Sequence, residues 1–130
     1  MDEIVVVDDD ALMRELLAEW LSAAGYRVRQ AGTGNDALQM LRGQPAGLLI
    51  TDMDMPGRDG AQTLEEARRL QPDLAVIAIS GGARKGRRDW VTTARDLGAA
   101  GTLAKPFERA DLLAAVAKIL PQQKPATARP

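Results

Sequence analysis

At 130 residues, the chain is long enough to form one domain with a buried core. Its 18 acidic and 17 basic side chains nearly cancel to a net charge of −1, which favours neither nucleic acid nor an anionic membrane as a partner. The chain contains no cysteine and no histidine, which excludes disulfides, thiol chemistry, metal sites built on either residue and a histidine general base. The acidic start, MDEIVVVDDD, is unlike a signal peptide, and no apolar run is long enough to span a bilayer. We therefore expect a cytoplasmic protein without membrane contact.

Short apolar runs alternate along the chain with segments of helical periodicity, which predicts an α/β fold around a parallel sheet. The runs predicted as strands are 4–7, 26–31, 48–51, 74–80 and 101–104, and the second alternates apolar and charged residues as an edge strand does. The segments predicted as helices are 11–24, 35–42, 62–70, 89–97 and 110–120. The first helix has Leu12, Leu16 and Trp20 on one face and ends at Gly25. Residues 1–120 are predicted to form the domain, and residues 121–130 a disordered tail or linker stub.

Acidic side chains follow two of the predicted strands. Asp8, Asp9 and Asp10 come directly after the first strand, and Asp52 ends the third. If these strands are neighbours, the carboxylates meet at the carboxyl edge of the sheet, where open parallel sheets bind ligands. Nearby like charges raise the pKa of at least one acid, and a hard divalent cation such as Mg²⁺ relieves the repulsion. Helix capping is the alternative for Asp10, but it leaves the other three acids unexplained.

Two further strand ends carry polar side chains. Ser80 ends the fourth strand and is followed by Gly81 and Gly82, where a backbone can approach a ligand closely. Lys105 follows the fifth strand, directly before Pro106, and a lysine there is a mobile point charge suited to phosphate. Taken alone, an ordinary turn serine and a solvated surface lysine explain these two residues equally well.

Together these residues resemble the receiver domain of bacterial two-component response regulators. The motifs VVVDDD, LLITDMDMPGRDG, VIAIS and AKPF occur in the family's order, and the likeness covers about residues 3 to 120. The resemblance implies a flavodoxin-like fold of five βα units, with strand order 2-1-3-4-5 and a cis peptide bond before Pro106. It also implies a signalling domain that catalyses only its own phosphorylation and dephosphorylation.

The resemblance implies a role for each acid. Asp52 would be the phosphoacceptor, which forms an aspartyl phosphate by covalent carboxylate chemistry. Asp8 and Asp9 would hold Mg²⁺, together with Asp52 and the backbone carbonyl of Asp54.

The resemblance also implies partners for the phosphoryl group. Lys105 would pair with the phosphoryl oxygens, and Ser80 would donate a hydrogen bond to one of them. Because the chain has no histidine, the phosphoryl group would come from a phosphohistidine of a sensor histidine kinase or a histidine phosphotransfer protein.

One position departs from the family pattern. The strand before the KP motif often begins with Tyr or Phe, whose ring swings inward when the domain is phosphorylated, and here that position is Thr102. We therefore expect the signal to leave through the Ser80 loop and the fourth helix. Trp90, early in that helix, would report this shift or partly replace the ring, and simple packing against the sheet is the alternative.

The loop GGARKGRRD, residues 81–89, is rich in basic side chains: Arg84, Lys85, Arg87 and Arg88. It would either dock an acidic protein or remain a solvated loop. No aromatic residue interrupts the run, so it does not indicate contact with nucleic acid.

Two other interpretations compete with a stand-alone receiver. The DMD stretch at 52–54 resembles the nucleophile and acid pair of haloacid-dehalogenase-type phosphatases and phosphotransferases, but Met55 and Pro56 follow it where those enzymes have a threonine. That interpretation also gives the three acids at 8–10 no role. The second is a receiver fragment of a larger regulator, with the proline-rich tail as the cut linker.

Overall fold

The computed structural model describes residues 3–53, 60–81 and 90–120, apart from the side chains of Trp90, Thr92 and Thr93. The strands are β1 (Glu3–Val7), β2 (Arg27–Ala31), β3 (Leu48–Asp52), β4 (Ala75–Ser80) and β5 (Gly101–Ala104). The helices are α1 (Ala11–Ala23), α2 (Gly34–Gly43), α3 (Gly60–Leu70), α4 (Trp90–Asp96) and α5 (Arg109–Ile119). All ten predicted elements are present, and each of their ends lies within two residues of the predicted position.

The five strands form one parallel sheet in the order β2-β1-β3-β4-β5, which confirms the predicted topology. The chain passes from β1 to β2 on one side and then returns past β1 to β3 on the other. The direction of winding therefore reverses between β1 and β3, which is where sheets of this kind bind ligands. All residues of β3 are buried, whereas β2 exposes Arg27 and Gln30, as expected for an edge strand.

Helices cover both faces of the sheet, because alternate residues of each buried strand point to opposite sides. Val5 of β1 and Leu49 of β3 pack with buried residues of α2 and α3. Their neighbours Ile4 and Ile50 pack with buried residues of α1 and α5. The continuous apolar runs of β1 and β3 are thus explained by a core on each side of the sheet.

The face of α1 that packs on the sheet is not the one that carries Leu12 and Leu16. Leu12 is 79% exposed and Leu16 is 39% exposed, while the buried positions are Leu17, Ala18 and Leu21. This helix has two overlapping apolar stripes at helical spacing. The stripe with Leu17, Ala18 and Leu21 is the buried one, because the helix packs against α5 and β2. Leu12 and Leu16 share one face of the helix, as their spacing predicts, but that face is largely exposed.

Both ends of α1 are fixed by local chemistry. The Asp10 carboxylate accepts hydrogen bonds from the backbone N–H groups of Leu12 at 3.0 Å and Met13 at 3.3 Å, which confirms that Asp10 caps the helix. Gly25 follows the helix with a φ of +100°, a conformation that favours glycine and ends the helix as predicted.

The peptide bond between Lys105 and Pro106 is cis, as predicted. Among the helices of the described residues, none combines the length and apolar character needed to cross a membrane. The tail predicted for 121–130 lies outside the described residues.

Candidate functional site

The strand register brings the two acidic motifs together. Val7 of β1 pairs with Thr51 of β3, so Asp8 and Asp52 stand side by side at the carboxyl edge of the sheet. Asp8 is 1% exposed and Asp52 is 5% exposed, whereas Asp9 is exposed to solvent. This arrangement confirms that strands ending in acids are neighbours, which the sequence analysis had assumed.

The carboxylates of Asp8, Asp9 and Asp52 form one cluster. One oxygen from each lies within 4.8 Å of the corresponding oxygens of the other two. Carboxylate oxygens at this spacing suit a hard divalent cation such as Mg²⁺ or Ca²⁺, which takes oxygen ligands. The residues therefore fit a metal of this class, and Asp54, predicted to contribute its carbonyl, lies outside the described residues.

Lys105 reaches into this cluster from the end of β5. Its Nζ atom lies 3.0 Å from Oδ2 of Asp52 and 3.4 Å from Oδ2 of Asp8. Burial acts to lower the pKa of the Lys105 ammonium, but hydrogen bonds and charge from Asp52 and Asp8 outweigh it and raise the pKa above its ordinary value. Lys105 therefore carries its positive charge at every physiological pH, and it is not merely a solvated surface lysine.

The pKa of the Asp8 carboxyl is raised in this cluster. Burial raises its pKa, and the negative charge of Asp52 adds to this effect. The backbone N–H of Asp10 at 2.9 Å and the Lys105 ammonium oppose the increase without cancelling it. Ionised Asp8 is therefore held at a cost in free energy, which a divalent cation would relieve.

Ser80 lies at the end of β4, one position beyond the residue that pairs with Asp52. It is 1% exposed, and its carbonyl accepts a hydrogen bond from the backbone N–H of Lys105 at 2.8 Å. Ser80 and Lys105 are thus joined through the backbone, a connection that their separation in sequence did not suggest. Both predicted residues stand at the same edge of the sheet as the acids.

The residues predicted to transmit a signal are only partly described. Thr102 is half-buried in β5 and pairs with Ala78 of β4, which packs against Ala94 of α4 in a small cluster. Trp90 is the first residue of α4, but its side chain lies outside the description. The basic residues Arg84, Lys85, Arg87 and Arg88 also lie outside the described residues.

Sequence reasoning missed one residue that shapes the end of β3. A Cβ atom on Gly60, at the start of α3, would lie 2.4 Å from Cα of Met53 and 2.5 Å from the carbonyl oxygen of Asp52. No side chain fits there without displacing backbone. The only signal in the sequence is the glycine itself, eight positions after Asp52, and glycines in loops have many other causes.

Sequence reasoning also missed Arg14. Its Nη1 atom donates a hydrogen bond to the backbone carbonyl of Asp8 at 2.8 Å. An arginine in the first turns of a helix is ordinarily a surface residue, so nothing in the sequence marked this contact.

Comparison with known proteins agrees with this geometry. The family model described as the response regulator receiver domain matches residues 4–117. The response regulator receiver protein CpdR of Brucella abortus is 35% identical over 120 residues, which cover 92% of this chain and 98% of that protein. The transcriptional regulatory protein PdtaR of Mycobacterium tuberculosis is 37% identical over 116 residues, but the matched region spans only 54% of its length.

A solved structure shares the fold. A response regulator protein from Burkholderia pseudomallei, crystallised with a phosphorylated aspartic acid, a calcium ion and citrate, superposes with a TM-score of 0.80 at 28% identity. The match covers 89% of this chain and 66% of that one.

Proposed function

This chain belongs to the response regulator receiver domain family, and we propose that Asp52 is the residue through which it accepts a phosphoryl group. One observation carries the proposal. The nearly buried Asp52 carboxylate has the Lys105 ammonium 3.0 Å away on one oxygen and shares a cluster with Asp8 and Asp9. It is the member of the cluster that ends a central strand: β3 pairs with β1 and β4, and Asp52 itself pairs with Ile79 of β4.

The chemistry follows from the positions of these groups. An Oδ atom of Asp52 attacks the phosphorus of the donor, a phosphohistidine, and forms a P–O bond as the P–N bond breaks. The donor's imidazole keeps the electron pair and takes a proton from solvent. Lys105 is positively charged where the phosphoryl oxygens arrive, so it stabilises the negative charge on them without first having to move.

Asp8 and Asp9, with Asp52, are the residues that would hold a divalent cation, which we propose to be Mg²⁺. The resemblance adds the carbonyl of Asp54 as a further ligand. When bound, the cation neutralises charge on the cluster and on the phosphoryl oxygens. The calcium ion and phosphorylated aspartic acid named for the Burkholderia protein support this combination of groups.

Receiver domains take the phosphoryl group from a histidine kinase or a phosphotransfer protein. This chain has no histidine, so we propose that its donor is a phosphohistidine on such a protein. The phosphorylated domain then changes its contacts with a downstream protein. A stand-alone arrangement, as opposed to a receiver within a longer regulator, stays a prediction.

The test combines a phosphorylation assay with a turnover assay. Intact protein is incubated with Mg²⁺ and acetyl phosphate, and the adduct is mapped by mass spectrometry. We expect a single phosphoryl group on Asp52 that is absent from Asp52→Asn, with Asp73→Asn, an exposed acid remote from the cluster, as the matched control. An adduct that persists in Asp52→Asn would overturn the assignment.

The turnover assay separates a receiver from a phosphatase. Hydrolysis of p-nitrophenyl phosphate for many cycles would favour the haloacid-dehalogenase alternative. We expect no sustained turnover, because Met55 and Pro56 follow the DMD stretch where those enzymes have a threonine.

A further inference from the structure

Arg14 is bonded to the peptide that links two acids of the cluster. Its side chain reaches back from the first turns of α1, and Nη1 donates to the carbonyl of Asp8 at 2.8 Å. That carbonyl belongs to the peptide group that joins Asp8 to Asp9. The direction of this carbonyl sets the plane of the peptide group, which contains the Cα atom of Asp9. It therefore constrains the position from which the Asp9 side chain extends.

The other polar groups of Asp8 have partners that do not depend on Arg14. Its backbone N–H donates to the carbonyl of Ala31 at 3.2 Å. Its carboxylate accepts from the N–H of Asp10 at 2.9 Å and from Lys105 at 3.4 Å. Loss of Arg14 would thus release the carbonyl of Asp8 while its carboxylate stays bonded, and the exposed Asp9 is the acid left without a fixed direction.

The neighbouring loop leaves room for the guanidinium. A Cβ atom on Gly32, which follows β2, would lie 3.3 Å from Nη1 of Arg14. That distance is shorter than an ordinary van der Waals contact, so a side chain at this position would push the donor atom itself. A side chain at position 32 would therefore require the Arg14 guanidinium to shift by a few tenths of an ångström.

We propose that Arg14 is a positioning residue for the divalent cation, because its hydrogen bond to the Asp8 carbonyl orients the Asp8–Asp9 peptide toward the cluster. The inference rests on the proposed function, which places the cation on these acids. Arg14 itself touches neither the cation nor the phosphoryl group.

Electrostatics and positioning predict opposite effects of removing Arg14. A positive charge beside the cluster repels a cation, so if charge alone mattered, Arg14→Met would bind a divalent cation more tightly. If Arg14 orients Asp9, the same substitution weakens binding despite the lost repulsion. The sign of the change in affinity therefore distinguishes the two roles.

The experiment measures binding of Mn²⁺ to the full chain, from the electron paramagnetic resonance signal of free Mn²⁺, and of Mg²⁺ by competition. Arg14→Met is compared with wild type, and Arg14→Lys keeps the charge but has a single donor nitrogen on a shorter reach. Arg42→Met is the matched control, because it removes an exposed arginine from the last turn of α2. Thermal unfolding with a chelator present reports whether each variant is folded.

We expect Arg14→Met to bind Mn²⁺ about tenfold more weakly, which corresponds to about 1.4 kcal/mol. Arg14→Lys should lie between Arg14→Met and wild type, and Arg42→Met should match wild type. Arg14→Met that is folded and binds as tightly as wild type, or more tightly, would overturn the proposal. If Arg14→Met does not fold, Arg14→Lys decides the question: because it keeps the charge, binding weaker than wild type supports the proposal, and unchanged affinity overturns it.

Asp9→Ala separates this inference from the proposed function. If wild type binds Mn²⁺ no better than Asp9→Ala, the cation site itself is wrongly assigned. If Asp9→Ala loses binding and Arg14→Met keeps it, the site stands and only the role of Arg14 falls.

Discussion

The ammonium of Lys105 lies 3.0 Å from Oδ2 of Asp52. The proposed phosphoacceptor therefore already forms an ion pair with a lysine at the end of β5. The same ammonium is 3.4 Å from Asp8, and one lysine thus offsets the charge of two buried acids. The pair gives Asp52 a partner before any phosphoryl group arrives. It also ties the stability of this edge of the sheet to Lys105.

Lys105→Met should destabilise the protein as well as slow its phosphorylation. The substitution removes the ammonium that pairs with two buried carboxylates. Because the lysine side chain is partly exposed, we expect the free energy of unfolding to fall by only roughly 1–2 kcal/mol. Urea unfolding at pH 7 with a chelator measures it, with the exposed Lys118→Met as control. Equal stabilities of the two variants would contradict the expected role of the ion pair.

The effect of Lys105 has a defined pH dependence. The pKa of Lys105 is raised in the folded protein, so its contribution to stability is fully present below the ordinary lysine pKa of about 10.4 and is lost as the pH rises through the folded value. The difference between wild type and Lys105→Met should therefore persist from pH 7 to about pH 10 and shrink only above it. A difference that vanishes near pH 8 would show that another group titrates.

Asp8→Asn should stabilise the protein when no divalent cation is present. Burial raises the pKa of Asp8, so the ionised form destabilises the fold at neutral pH, and the asparagine keeps the shape and an acceptor oxygen without the charge. We expect a gain of roughly 1 kcal/mol at pH 7. Wild-type Asp8 takes up a proton as the pH falls through its raised pKa, so the gain should diminish toward pH 4.

Chelator-treated protein, unfolded in urea at several pH values, tests this prediction. Asp73→Asn, which changes an exposed acid, should show no gain. A loss of stability in Asp8→Asn at pH 7 would mean that the attraction of Lys105 for Asp8 outweighs the cost of burial.

Gly60→Ala and Gly43→Ala form a matched pair of glycine substitutions in helices. A Cβ atom on Gly60 would collide with the backbone of Asp52 and Met53, while one on Gly43 would meet nothing within 4 Å. We expect Gly60→Ala to lose about 1–3 kcal/mol in the free energy of unfolding and to slow phosphorylation. Gly43→Ala should be neutral or gain up to about 1 kcal/mol. Similar stabilities of the two variants would contradict the close approach at Gly60.

Ser80→Ala should uncouple phosphorylation from the response of α4. Phosphorylation adds charge and acceptor oxygens beside Ser80, and its hydroxyl is expected to move toward them. With Thr102 in β5 no aromatic ring is available to transmit the shift, so it should pass to the start of α4. Fluorescence of Trp90 in a Trp20→Phe background, with Mg²⁺ and beryllofluoride, should change in the parent and not in Ser80→Ala.

Ser22→Ala, an exposed serine of α1, is the control for this experiment. No fluorescence change in the parent, despite proven binding of beryllofluoride, would mean that the signal leaves by another route.

The strands and the acid cluster could be predicted because each follows from local sequence. Buried parallel strands read as continuous apolar runs, and the ends of neighbouring strands must meet at one edge. Asp8, Asp52 and Lys105 each follow such a run, so their convergence needed only the strand order. The family resemblance supplied that order, which hydrophobic periodicity alone leaves open.

The buried face of α1, Arg14 and Gly60 could not be predicted, for a different reason. Leu16 and Leu17 are equally apolar, and only packing against the sheet decides which is buried. The contacts of Arg14 and Gly60 are made to backbone atoms of residues six to eight positions away. Any residue supplies such backbone atoms, so the sequence carries no mark of the contact.

The two edges of the sheet differ in how they oppose extension by another strand. Strand β2 exposes the charged Arg27 and the polar Gln30, so a second copy docking along it would remove water from both side chains. Strand β5 has only four residues, and Pro106, two positions beyond its end, has no N–H to offer a further strand. The charged Arg27 on β2 and the short length of β5 therefore both oppose the addition of further strands and growth into fibrils.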